Sequence, residues 1–310
     1  MCVDSNSSPP TVTHVTPGGN EVGGVTSLGD DVFVVRCRSQ QKIEVYDANT
    51  FTLQRHIKVP GLDAPLGLTS CSQNNCLYAA DYNKNSVHRV DLSGSNAKRK
   101  WFVSRLKASE SKAVMKWSVA RNPTGLSVNS EHNLLVASYG ECKVQIFTTH
   151  GTPLENIQLQ ADNYGGPDHA VQLSTGQLLV SHSGSVHRVC LTGVDGTVVR
   201  SYGGQKGSQL TQMYSSRGLA VDREGRVLVV DNRRLLVIDQ SLSSAHEMSV
   251  SVDGGLIGPC SLWYDGGLKH PQCLWYDQSR RRLYIGEWRA GLGGRVIVID
   301  NLKDFSACSI

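Results

Sequence analysis

Six polar residues recur at matching places along the chain, each closing a short apolar run: Arg36, Asp81, Ser138, His182, Asp231 and Glu287. Three carboxylates and an imidazole brought together would suit a divalent cation, because such ions take oxygen and imidazole ligands. Two features oppose that chemistry. Arg36 stands between Glu287 and Asp81 in the cyclic order of these positions and would neutralise both, and the set holds one histidine. The residue types favour a structural role, in which Asp81 and Asp231 accept backbone N–H bonds and shape the turn that follows. No catalytic residue, metal ligand or cofactor is assigned.

A second set is basic and aromatic. Arg36, Arg38, Lys42, Lys84, Lys143, Arg233, Arg234, Arg289 and Arg295 lie just beyond the same apolar runs or before the next ones, with Tyr82, Tyr139 and Trp288 among them. Residues 104–121 add Arg105, Lys107, Lys112, Lys116, Trp117 and Arg121, against fewer acids: Glu110, Glu141, Asp162, Asp168 and Glu287. The net charge is only +4, so this would be a local concentration of charge. Basic loops interleaved with stacking surfaces suit single-stranded RNA or an acidic partner. Against this stands the general preference of Lys and Arg for solvated turns. Hydrolase and nucleotide signatures are missing from the sequence: there is no Gly-x-Ser-x-Gly, no P-loop and no His-Glu-x-x-His.

The elements that must position these residues repeat six times. The apolar runs are 32–36, 77–81, 134–138, 178–182, 227–231 and 283–287. A further strand follows each: Ile43–Tyr46, Val87–Val90, Val144–Phe147, Val186–Val189, Leu235–Ile238 and Val296–Ile299. A Gly-apolar pair opens several copies, as at Gly24-Val25, Gly67-Leu68, Gly125-Leu126 and Gly218-Leu219. A period near 40–50 residues with about four strands per copy is the pattern of a β-propeller blade. The chain is therefore expected to form an all-β, six-bladed propeller of four-stranded antiparallel blades. In that fold the loops entering each first strand and those joining second to third strands share one face, here called the top face.

The last copy lacks a fourth strand, whereas residues 11–16 alternate like a strand and have no blade of their own. The N-terminal strand is expected to complete the sixth blade and so to close the ring, removing two free edges. The expected layout is a tail over 1–10, the propeller over 11–305 and a tail over 306–310. The departure from the rhythm at 104–121 reads as a partner-contacting loop, in which 108–117 forms a short helix or an ordered lid over the top. Nine scattered cysteines fit reduced, mostly buried thiols. The N-terminus does not read as a secretory signal, and no apolar run is long enough for a span. A cytoplasmic, monomeric protein is the expectation.

Two stretches carry a resemblance: Gly-Leu-Ala-Val-Asp…Gly-Arg-Val-Leu-Val-Val-Asp-Asn at 218–232 and Leu-Tyr-Ala-Ala-Asp-Tyr-Asn-Lys-Asn-Ser-Val at 77–87. Both resemble the NHL repeat, as found in the propeller domain of TRIM-NHL proteins, and the sixth copy also resembles the low-density-lipoprotein-receptor type. The chain shows no cysteine/histidine ladder for a RING, no B-box and no heptads. The resemblance implies a non-catalytic platform whose top face takes a protein partner, with single-stranded RNA as the second reading. The expected site is Arg36, Arg38, Tyr82, Lys84, Tyr139, Lys143, His182, Arg233, Arg234, Trp288 and Arg289. Similarity to gluconolactonase and hydroxyglycine-lyase propellers implies a third reading, a metal-dependent hydrolase or lyase working in the channel.

Overall fold

The computed structural model describes residues 11–15, 19–38, 41–92, 114–160, 165–207, 209–232, 234–248, 250–252, 255–257, 270–288 and 293–302. Strand β1 (Thr11–Val15) stands ahead of the first blade. Blade one is β2 (Val22–Leu28), β3 (Asp31–Arg36), β4 (Lys42–Asp47) and β5 (Leu53–Lys58). Blade two is β6 (Pro65–Cys71), β7 (Cys76–Asp81), β8 (Ser86–Asp91) and β9 (Val114–Ser118). Blade three is β10 (Pro123–Val128), β11 (Leu134–Ser138), β12 (Lys143–Phe147) and β13 (Pro153–Gln158). Blade four is β14 (His169–Gln172), β15 (Leu178–His182), β16 (Arg188–Thr192) and β17 (Val198–Gly203). Blade five is β18 (Ser216–Val221), β19 (Val227–Asp231), β20 (Arg234–Ile238) and β21 (Ala245–Glu247). Two short strands follow, β22 (Val250–Val252) and β23 (Gly255–Ile257), before β24 (His270–Asp277), β25 (Arg282–Trp288) and β26 (Arg295–Asp300) of blade six.

Each blade is an antiparallel meander, and the six stand round a common axis. The ring closes as expected. Strand β1 pairs antiparallel with β26, with Val12 opposite Ile299 and Val15 opposite Ile297, and so supplies the fourth strand of blade six. On its outer side Thr11 pairs parallel with Ser251 of β22, which widens that sheet to six strands.

The core is divided into six wedges, one between each pair of neighbouring blades. Phe33, Val35, Leu77 and Ala79 fill the wedge between blades one and two. Val25, Val34, Tyr284 and Val298 fill the one between blades one and six, which seals the ring. Alternation explains this. A strand presents its side chains to both faces, and both faces of every blade meet a neighbour, so the second strands are apolar over successive positions, as in Val32–Val35 and Val227–Val230. The inner strands come so close that they require glycine, as at two positions. A Cβ on Gly67 would lie 2.4 Å from the Thr124 carbonyl oxygen, and one on Gly125 would lie 2.4 Å from that of Asp168. Hydroxyls stitch the inner strands further: Ser70 donates to the Ser27 carbonyl at 2.9 Å and Ser127 to that of Ala170 at 2.7 Å.

Two expectations change. Residues 114–118 are not part of a lid or helix but form β9, the outer strand of blade two, paired with β8 from Ser86↔Ser118 to Val90↔Val114; residues 104–113 lie outside the described residues. The third strand of blade four runs 188–192 rather than 186–189, because His182 pairs with Arg188 across a turn one residue longer than that between Asp81 and Ser86. Cys37, Cys71, Cys76 and Cys273 are reduced thiols, and burial pushes Cys37 and Cys273 up to about 12, which keeps them protonated and inert.

Candidate binding face and axial channel

The six polar residues that close the second strands are buried. Their partners explain why. Asp81 accepts the N–H of Asp63 at 2.9 Å, of Ala64 at 3.3 Å and of Lys84 at 3.2 Å, tying the incoming loop to the turn. Asp231 does the same for Tyr214 at 2.8 Å and Ser215 at 2.7 Å. This is the N–H-accepting role read from the residue types. Glu287 pairs with Arg295. Arg36 does not bridge Glu287 and Asp81: it pairs with Glu44 at 2.9 Å and donates to the carbonyls of Asn20 and Gly294. Among the described residues, no three His, Cys, Asp or Glu side chains converge as metal ligands would.

The expected site residues separate into three groups. Arg36, His182 and Arg234 are buried rather than solvated. Arg234 turns onto Asp231 at 2.9 Å and reaches the carbonyls of Gln209 and Gln212, because it pairs directly with Asp231 at the mouth of a two-residue turn. Arg38, Lys84 and Trp288 are exposed, with Tyr82, Tyr139 and Lys143 half-buried. Arg233 and Arg289 lie outside the described residues. Several cations already have acids: Lys143 meets Glu141 at 2.8 Å and Lys84 meets Asp63 at 3.9 Å. The Lys143 ammonium, with the Arg121 N–H, holds the Glu141 carboxyl below its usual range. Trp117 is not on the top face. It packs between blades two and three, 6.2 Å from both Tyr78 and Phe147.

Sequence reasoning missed an aromatic group above blades four and five. His187 stacks on Tyr214, with ring centroids 5.9 Å apart and planes 4° from parallel, and Lys206 Nζ sits 4.4 Å from the Tyr214 ring centre. Tyr214 remains 43% exposed, and Leu210, four residues before it, 47%. On blade six, His270 lies 5.5 Å from Trp288, which is 39% exposed. The signal for His187 was hidden by its tetrapeptide. Val-His-Arg-Val occurs at 87–90 and at 186–189, yet the longer turn leaves His187 before its strand, whereas His88 lies inside its own, opposite Ala79.

The first strands surround an axial cavity of about 390 Å³. Half of its lining residues are glycine or aliphatic, and Asp168, His169, Arg217 and Gln272 are among the polar ones. Asp168 accepts the Ser183 N–H at 2.6 Å, and burial pushes its carboxyl up to about 6. His169 joins its Nε2 to the Leu126 carbonyl at 3.0 Å, and burial lowers its pKa. Its neutral ring therefore donates from Nε2.

No family model matches the chain. In sequence it is similar to Protein brain tumor of Drosophila melanogaster, 26% identical over 139 residues. The match spans 42% of this chain and only 12% of that protein's length. In fold it is similar to virginiamycin B lyase from Staphylococcus aureus, with a TM-score of 0.60 and 9% identity over 93% of this chain and 98% of that one. A chain of the Kuenenia stuttgartiensis hydrazine synthase gives 0.56 at 15% identity, over 97% and 80%. A Bacteroides thetaiotaomicron protein gives 0.63 at 14%, over 91% and 70%. At such identities the structural neighbours speak for the fold alone. The six-bladed ring and the sequence similarity together support an NHL-type propeller. No helix among the described residues is long and apolar enough to cross a membrane.

Proposed function

We propose that this propeller is a non-catalytic scaffold that binds a protein partner on the top-face rim of blades four to six. The observation that supports this most is the exposed aromatic rim, Tyr214 with Leu210 and Trp288 beside His270, set among charges of both signs. Exposed Tyr and Trp ringed by polar groups make good interface anchors. The described basic residues weigh toward protein over nucleic acid. Arg36, Arg234, Lys84 and Lys143 are each paired with a carboxylate, which leaves a mixed rather than continuous positive surface. The sequence similarity to Protein brain tumor agrees with a binding role. A second reading, single-stranded RNA on the same rim, draws on the His187–Tyr214 stack beneath Lys206, a geometry that accepts a base.

The two readings separate in one experiment. Titration of labelled random single-stranded RNA at low salt is expected to give no saturable binding to the full chain. Partners cross-linked to the wild-type chain in an extract are expected to be lost from a Tyr214→Ala, Trp288→Ala double variant that keeps its melting temperature. RNA binding that weakens steeply with salt would replace the protein reading by the RNA one. Retention of every partner by the double variant would refute the rim.

A further inference from the structure

The axial channel breaks its symmetry on one side. The residue one step before the strand-closing position faces glycine in blades one and two, as in Gly24↔Val35 and Gly67↔Ala80. The same place is taken by His169 in blade four and Cys273 in blade six. Around this half of the channel the polar groups are incompletely matched. The Asp168 carboxylate is bonded by Ser183 alone among the described residues, through its backbone N–H at 2.6 Å and its side chain. His169 Nδ1 is buried with no hydrogen-bond partner. Arg217, an exposed guanidinium, contacts the side chains of Ser215 at 3.4 Å and of Gln272. Arg217 acts electrostatically on Asp168, yet the two make no ion-pair contact. A carboxylate and a guanidinium that are not paired with each other thus line the same cavity.

We propose that this side of the channel binds a small zwitterion of the α-amino-acid type, its carboxylate on Arg217 and its ammonium on Asp168. The guanidinium fork matches a carboxylate in two parallel hydrogen bonds. A carboxylate removed from water is stabilised most by a cation brought directly to it. Gln272, on the neighbouring blade, offers an amide to the same end of the ligand. Among the described residues the inner edges of the six first strands have no ladder partner on the channel side, and those of their N–H and C=O groups that side chains do not already use add further hydrogen-bonding sites. A cavity of about 390 Å³ lies within the range of small-molecule clefts, roughly 300–1,000 Å³. This site shares no residue with the aromatic rim, so it stands or falls apart from the scaffold reading.

The test uses the full chain, with glycine, L-serine and L-glutamate as probes and acetate and methylamine as half-ligands. Thermal melts and calorimetric titration are expected to show saturable binding of at least one amino acid, and no saturable response to acetate or methylamine. Arg217→Gln and Asp168→Asn are each expected to weaken that binding roughly tenfold or more, the loss of one charge-assisted contact. Lys58→Gln, an exposed change on the outer strand of blade one, leaves it intact. Ligand-free melts of the variants establish that they fold. The proposal is overturned by the absence of saturable binding for all three amino acids, by an equal response to acetate, or by undiminished binding in Asp168→Asn.

Discussion

Arg234 and Asp231 meet at 2.9 Å, with the carboxylate wholly removed from water and the arginine 7% exposed. The pair closes the turn of blade five, and Asp231 also holds the backbone of Tyr214 and Ser215. It therefore fixes the base of the aromatic rim. Removing one partner of a buried pair leaves an uncompensated charge, at a cost of about 3–5 kcal/mol. Asp231→Ala is expected to lose stability on that scale in urea unfolding. Replacing Arg234 by Leu in the same chain should recover part of it, and a double-mutant cycle reads the coupling. Strict additivity would show that the pair carries no mutual stabilisation.

The closing strand makes a separate prediction. Strand β1 covers the edge of β26 through four paired positions, and Val12 packs against the wedge between blades five and six. Deleting residues 1–18 exposes that edge and breaks its ladder, so the ring is held by the wedge between blades one and six alone. The melting temperature is expected to fall by roughly 5 °C or more, with dimers appearing in size-exclusion chromatography as the bare edge pairs with another copy. An unchanged melting temperature would mean that β1 adds nothing to closure.

The fold was legible because its signal is repeated and apolar. A strand buried on both faces must be apolar at successive positions, and six such runs at blade spacing admit few architectures. Even the glycines had a readable purpose, which Gly67 against Thr124 makes concrete. The rim was harder to read. Whether Arg234 faces solvent or Asp231 depends on a two-residue turn, and whether His187 lies within its strand or in the turn before it depends on one inserted residue. A register shift of one reverses a side chain's face without changing the composition around it. The channel residues Asp168 and Arg217 were hidden for another reason. They stand 49 positions apart in sequence, and only the ring brings them to one cavity.

Asp168 predicts an unusual pH response. Burial pushes its carboxyl up to about 6 in the folded chain, above the usual carboxylate range. As pH falls through 6 the folded state takes the proton before the unfolded state does. The contribution of this group to stability therefore rises from pH 7 toward pH 4, and its charge is a cost at neutral pH. Asp168→Asn keeps an acceptor for the Ser183 N–H and removes that cost. The variant is expected to be more stable than wild type at pH 7.5 by about 1–2 kcal/mol, with the difference shrinking toward pH 4. Urea midpoints at the two pH values decide it, and an equal difference at both would exclude Asp168 as the source.

His88 pulls the other way. Its ring lies inside blade two, with neither nitrogen hydrogen-bonded and Nε2 3.8 Å from Asp81. Burial lowers its pKa, Lys116 lowers it further, and Asp81 raises it only in part. The folded state holds the neutral ring, while the unfolded chain takes up a proton below about 6.5. Stability from this group is complete above that value and declines as pH falls beneath it. Leucine at this position fills similar space and leaves no polar atom unpaired, and Asp81 keeps its three N–H donors. His88→Leu is therefore expected to match wild type or exceed it by about 1 kcal/mol at pH 7.5. Its advantage grows at pH 5, where wild type must keep an imidazole neutral against the solvent. Because Asp168 slopes oppositely, both chains are compared in the Asp168→Asn background, and their difference isolates His88 from His169, His187 and His246, whose pKa values are also lowered. Parallel pH profiles for the two chains would show that His88 does not titrate against folding.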